Sequence, residues 1–301
     1  MNRRLETRRL GIYLVLSFSM TWIIFFAFIL TGFRWNGDNP EMESFVAIGM
    51  LVPVAAHVLT RWMTKEGFAL TGKGSMMLGI NLKDGKWIYY VVAMLVPWRY
   101  YELGHALIFF VKPEIFDPEY YKVFGIEKEM AVLFPINSII SGSLVSFAAF
   151  GEEGGWRGYM MPKLTELLGT KKAILAGGVL WGLWHAPLTC VGHNFGTDYP
   201  GFPYLGILLM CIYATFLGIL LTFVTVRSGS VWPAAILHGV NNANPSMLAL
   251  FFNTERAEAF FQNPVLQWIC QMVPVVIIGS VCLVLLCKKE KTVSKEQMVT
   301  V

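Results

Sequence analysis

The sequence predicts an all-α protein, a polytopic membrane helix bundle of about eight transmembrane helices with both termini cytoplasmic. Three observations predict it. Apolar runs of about the 20 residues that a spanning helix needs recur along the chain. Of the 301 residues, 55% are hydrophobic and 15% charged, with a mean hydropathy of +0.54, whereas a soluble domain carries roughly a quarter charged residues. Basic and acidic loops alternate, which orients the spans.

The runs fall near 10–33, 43–62, 87–111, 131–157, 172–192, 203–226, 230–252 and 264–287. The first follows Arg3, Arg4, Arg8 and Arg9. It is too long for a signal-peptide core and lacks a small-x-small cleavage site, so it reads as a retained anchor. The fourth and seventh carry polar interruptions. With eight spans, the N-terminal arginines, Arg61 to Lys86, Lys163 to Lys172, Arg227 and Lys288 to Lys295 share one side. Asp38, Glu41, Glu43, Asp117, Glu119, Asp198, Glu255 and Glu258 lie on the other. The net charge of +4 follows from this asymmetry and not from nucleic-acid binding. The segment 61–86 is the longest inner connection and suits the membrane surface. The tail "KKEKTVSKEQMVTV" has the composition of a disordered segment. The five cysteines form no CxxC pair and read as small apolar residues of the spans.

Charge at bilayer depth is costly, so the stretch "GEEGGWRGYMM" at 151–161 asks for a reason. On a helix, Glu153 and Arg157 are four apart and form an ion pair, while Glu152 points about 100° away. Gly151/Gly155 and Gly154/Gly158 have the GxxxG spacing of closely packed helices. A polar helix end at the cytoplasmic surface would also explain this stretch. Three further polar residues favour a site: His185 in the fifth run, and His238 and Asn242, four apart, in the seventh. Their cost in lipid turns all of them into the bundle. Burial makes a carboxylate a competent general base, so Glu and His together can activate a water. A second His with an Asn amide can donate to a developing oxyanion. No GxSxG or HExxH motif occurs.

EExxxR, aromatic-xxx-His and HxxxN, in order and in separate spans, resemble the CPBP family of intramembrane endopeptidases. This group holds the CAAX-processing Rce1-type proteases and the bacteriocin-processing or self-immunity proteins. The motifs stand as Glu152-Glu153-Gly-Gly-Trp-Arg157, Trp181-Gly-Leu-Trp-His185 and His238-Gly-Val-Asn-Asn242. Trp181 stands where the family often has Phe, a like-for-like aromatic. The resemblance implies that Glu152 and His185 activate water, that His238 and Asn242 form the oxyanion site, and that Glu153 and Arg157 are a structural pair. It implies a glutamic-type peptidase without cofactor, acting on a peptide or protein that enters from membrane or cytoplasm, in a multi-pass protein of a bacterial cell membrane. It also divides the chain into N-terminal helices without family motif (1–125), the catalytic core (126–255), and the last span with a short cytoplasmic tail (256–301).

Rival readings stay open on the residues alone. Glu152, His185 and His238 have the ligand types of a zinc protease. A non-catalytic immunity or regulatory scaffold of the same family needs no chemistry. A proton-coupled transporter also uses buried Glu and His, but the ionisable groups cluster toward one side and no inverted repeat is visible. In the third run, Arg99, Glu102 and His105 read as a satisfied polar network or, with Trp181, as substrate contacts. His57 reads as a packing residue and His193 as a loop residue.

Overall fold

The computed structural model describes residues 2–32, 40–72, 74–257 and 264–299. Asp38 and Glu258 of the expected outer loops lie outside them. Among the described residues the chain is helical, with one isolated β-bridge, Phe116 to Phe252. Each of the expected apolar runs carries helix: α1 (Arg3–Ile29), α2 (Pro40–Met63), α3 (Ile88–Val111), α4 (Phe134–Leu144), α5 (Ser146–Gly155), α6 (Met161–Leu168), α7 (Thr170–Trp184), α8 (Tyr204–Ser228), α9 (Trp232–Asn242) and α10 (Pro264–Val299).

The helices differ in reach. Among the described residues four segments are long and apolar enough to cross a membrane: Arg3–Ile29, Phe45–Met63, Tyr204–Ser228 and Trp268–Lys288. The fourth run is bent by 54° between α4 and α5, and counts as a fifth if it is one span. Helix α3 has 24 residues but carries Arg99 and Glu102. Helices α7 and α9 have 15 and 11 residues, short of the roughly 20 that a span needs. Both stop early for local reasons. Pro187 lies three residues beyond Trp184 and has no N–H to continue the helix's hydrogen bonds, so the chain goes on only as a separate short helix, Ala186–Thr189. Beyond α9, Asn244 takes a positive φ of 44° just before Pro245. The C-terminal tail, expected to be disordered, continues α10 as helix to Val299. Its Lys- and Glu-rich sequence has no Gly or Pro to end the helix.

Helix α5 is the centre of the bundle, packed between α2 and α9, while α8 packs on α7, α9 and α10. Glycines permit the α5–α2 approach. A Cβ at Gly151 would run into the Met50 carbonyl and the Leu51 backbone, and one at Gly155 into Pro53. Gly154 meets the Val54 side chain, and Gly158 has ordinary contact with the Met76 carbonyl at 3.4 Å. Of the two GxxxG pairs, Gly151/Gly155 is the one that seats a backbone. Tyr13 of α1 closes the other flank, its ring 5.8 Å from Trp156 and 5.2 Å from Tyr159.

The inner segment after α2 docks on the α8–α9 turn. Val231 N–H donates to the Met77 carbonyl, Trp232 Nε1 to Leu78 and Asn81 Nδ2 to Ser228. Phe68, Leu70, Ile80 and Leu82 remain exposed on it, as a segment lying on lipid would have them. Nearby, Lys163 of α6 bonds to Glu6 at 2.6 Å and Glu66 at 2.7 Å, joining α1, α6 and the chain just after α2 at one end.

Two expectations follow. Gly151→Ala should lower the midpoint of thermal unfolding in detergent, because overpacking against immobile backbone costs about 1–3 kcal/mol. Gly158→Ala should change it little, and equal effects would discount the backbone contact. A reporter fused after residue 118 should read an outside location if the eight-span, N-in arrangement holds; a cytoplasmic signal would break it.

Candidate active site

All four residues expected to be catalytic, Glu152, His185, His238 and Asn242, line one cavity of about 720 Å³, together with Trp181. They arrive from three helices. Glu152 comes from α5. His185 caps the C-terminus of α7, and Asn242 is the last residue of α9, one turn after His238. The two helix breaks therefore open where the site is. Irregular backbone at membrane depth is tolerated where it lines a cavity.

Just after Glu152 and Glu153 the helix widens into a π-turn, Trp156–Met160, before resuming as α6. Such turns occur mostly as single insertions, frequently at functional sites. The pairing of Glu153 with Arg157 survives it, at 3.1 Å, with both side chains buried. Glu153 carries a second partner that four-residue spacing does not reveal: its Oε1 also accepts from His238 Nδ1 at 2.8 Å, across from α9. A carboxylate only accepts, so Nδ1 holds a proton. His238 Nε2 is left as the end able to act on a ligand. Glu153 also supplies the negative partner that an imidazolium needs for Nε2 to donate.

Glu152 is held by two indoles. Its Oε2 accepts from Trp181 Nε1 at 2.7 Å and, more weakly, from Trp156 Nε1 at 3.4 Å, four residues on. These partners are neutral N–H groups, so the carboxylate is held without being neutralised. Trp181 is thus more than an aromatic substitute for Phe, which has no N–H to give. Its ring also lies under the Arg157 guanidinium at 4.1 Å and 5.5 Å from the His238 ring. His185 Nδ1 lies 2.8 Å from the Trp181 carbonyl. A carbonyl oxygen only accepts, so Nδ1 carries the proton and a neutral His185 keeps its Nε2 lone pair free to take one.

Of the two readings of the polar residues of α3, the satisfied network is the one their contacts fit. Arg99, Glu102 and His105 do not line the cavity. Glu102 spends its oxygens on Trp98 Nε1, the Ser246 hydroxyl and the Met247 and Leu248 amides, holding the turn after α9. Arg99 stacks on Trp98 at 4.1 Å, and His105 bonds to the Tyr101 carbonyl and packs on Phe252. The neighbouring Tyr100 and Tyr101 face the cavity instead, with Tyr213 of α8. Sequence reading passed them over because tyrosine in a span resembles packing; the doublets Tyr100-Tyr101 and Asn241-Asn242 were the available signal. His193 also reaches the cavity wall, its ring 6.4 Å from that of His185. His57 is buried, between the Gly154 carbonyl and Arg61 Nε, as a packing residue should be. Among the described residues no three His, Cys, Asp or Glu side chains are grouped to hold a metal ion.

Removing one member of a buried charge pair costs about 3–5 kcal/mol, because the other is left uncompensated. Glu153→Gln and Arg157→Gln are therefore expected to accumulate poorly and to unfold early in detergent. Both variants melting with the wild type would assign the pair a role other than bracing.

The comparisons with known proteins centre on this segment. Residues 135–244 match the model of the Rce1-like family, described as type II CAAX prenyl endopeptidase Rce1-like, and so enclose all three motifs. A "CAAX prenyl protease 2" of the archaeon Methanococcus maripaludis is 32% identical over 123 residues, which are 38% of this chain and 43% of that protein. The chain thus matches less than half the length of this relative. Its bundle of apolar helices, the order of its motifs and these two matches agree: the central segment of this multi-pass membrane protein, residues 135–244, is similar to the Rce1-like family.

Proposed function

We propose that the chain is an intramembrane endopeptidase that cleaves a membrane-associated peptide or protein by activated water, without a covalent intermediate and without a metal. The observation that carries this reading is the convergence of Glu152, His185, His238 and Asn242 on one cavity, with their partners fixed behind them.

Glu152 and His185 Nε2 accept hydrogen bonds from a water, and Glu152 takes its proton as the oxygen attacks the scissile carbonyl carbon. Charge develops on the carbonyl oxygen. His238 Nε2 and the Asn242 amide donate to it. As the intermediate collapses, the C–N bond breaks and the proton held by Glu152 passes to the leaving amine, which restores the carboxylate. Glu153 and Arg157 touch none of the reacting atoms and act by holding His238 and Trp181.

The substrate class follows from the walls. Val46, Met50, Leu217, Met272 and Val275 add an apolar part to the lining beside the polar groups. A peptide carrying a lipid chain beside its scissile bond fits that division. The relative's name, CAAX prenyl protease 2, supports a prenylated C-terminal peptide as the first substrate to try.

The test is cleavage of a farnesylated CAAX peptide by purified full-length protein, with chelator present. Wild type is expected to cleave it. Glu152→Gln should melt like wild type and be inactive. His238→Ala or Asn242→Ala should lose on the order of 100-fold in kcat, the cost of one oxyanion donor. Activity in Glu152→Gln, or activity restored only by added zinc, would overturn the mechanism.

A further inference from the structure

The cavity lining also holds a polar cluster that the mechanism above leaves unused. Asn241 is buried, and its Oδ1 accepts hydroxyl hydrogens from Tyr100 and Tyr101 of α3 and, at 2.7 Å, from Tyr213 of α8. Its Nδ2 donates to Asn242 Oδ1 at 3.1 Å. Asn242 itself is exposed and lines the cavity. As placed, Oδ1 meets the phenols and Nδ2 meets Asn242 Oδ1; reversed, the amide would offer only two N–H hydrogens to three phenol oxygens and turn its own oxygen toward Asn242 Oδ1, so the contacts favour the orientation seen. The orientation of Asn241 is therefore fixed by three phenols from two other helices. With it fixed, Asn242 must present oxygen to Asn241 Nδ2. The remaining polar end of Asn242, its NH2 group, is then the one available to the cavity.

We infer that Asn241 is a positioning residue, which sets the amide of Asn242 as a donor toward the cavity and is itself aligned by Tyr100, Tyr101 and Tyr213. This rests on the endopeptidase reading, in which Asn242 donates to the oxyanion. It assigns the tyrosine cluster a task that packing alone does not require. An exposed Asn at a helix end has free rotation, and a donor that must find its direction during the reaction loses the advantage of preorganisation. The chain of bonds from the phenols to Asn241 to Asn242 removes that freedom.

The decisive variant is Asn241→Asp. A carboxylate keeps the acceptor that the three tyrosines need but has no N–H for Asn242. Its second oxygen faces Asn242 Oδ1, so the Asn242 amide turns over. A purely structural Asn241, needed only to receive the phenols, would tolerate the change. If it positions Asn242, kcat for the farnesylated CAAX peptide should fall about 100-fold, with KM within about twofold. The ratio of variant to wild-type activity should rise as pH falls, because a protonated carboxyl can again donate to Asn242 Oδ1. Tyr213→Phe, which removes one of three donors, should fall no more than about fivefold. A thermal double-mutant cycle separates the contact from the chemistry: Asn241→Asp should destabilise the wild-type background more than the Asn242→Ala background. Wild-type kcat in Asn241→Asp would overturn the positioning role, and additive melting shifts would overturn the contact. A wild-type chain that leaves the peptide uncut sinks the endopeptidase reading instead, while the cycle still reports on the contact.

Discussion

A carboxylate with no exposure to solvent, that of Glu153, sets the terms for the rest of the molecule. A buried ion of this kind persists only with partners in good geometry. Glu153 has two on one oxygen, Arg157 in its own helix and His238 from α9. Everything around the cavity hangs from that arrangement. Arg157 lies on the face of Trp181, whose N–H holds Glu152 and whose carbonyl holds His185. Three residues that would act on a substrate, Glu152, His185 and His238, are thus referred to one buried charge, through contacts of a few ångström each. None of the intermediaries needs to touch substrate.

Such a network tolerates little slack, and the bundle is built accordingly. Glycine at 151 and 155 brings the backbone of α5 against that of α2, and Gly142 and Gly239 do the same between α4 and α9. Gly218 leaves the room on α8 that the Arg157 guanidinium occupies. In lipid there is no water to press helices together, so close backbone approach and interhelical hydrogen bonds supply the cohesion. The same economy shapes the short helices. Two of the elements that deliver site residues, α7 and α9, end inside the protein, and their C-terminal residues, His185 and Asn242, stand at the cavity because the helices stop there.

The sequence by itself determined the class of the fold, the helical runs and the four polar residues that meet at the cavity. These are local matters: apolar runs of spanning length, polar residues whose cost in lipid forces them inward, and four-residue spacing that puts Glu153 beside Arg157 and His238 on the face of Asn242. The reach of each helix was less legible, because an apolar run does not say where its backbone stops; the positions of Pro187 and Asn244 did, once seen in three dimensions. What only the tertiary structure decided is which atoms meet across helices. No spacing along the chain relates Glu153 to His238, Trp181 to Glu152, or Asn241 to three tyrosines, since these contacts depend on the rotation of each helix about its axis. The polar residues of α3 show the same limit. Arg99, Glu102 and His105 drew attention as charges in a span, yet the rotation of α3 turns Tyr100 and Tyr101 to the cavity and gives Glu102 to the turn after α9. Helix rotation is set by side-chain packing between elements distant in sequence, and hydropathy carries no record of it.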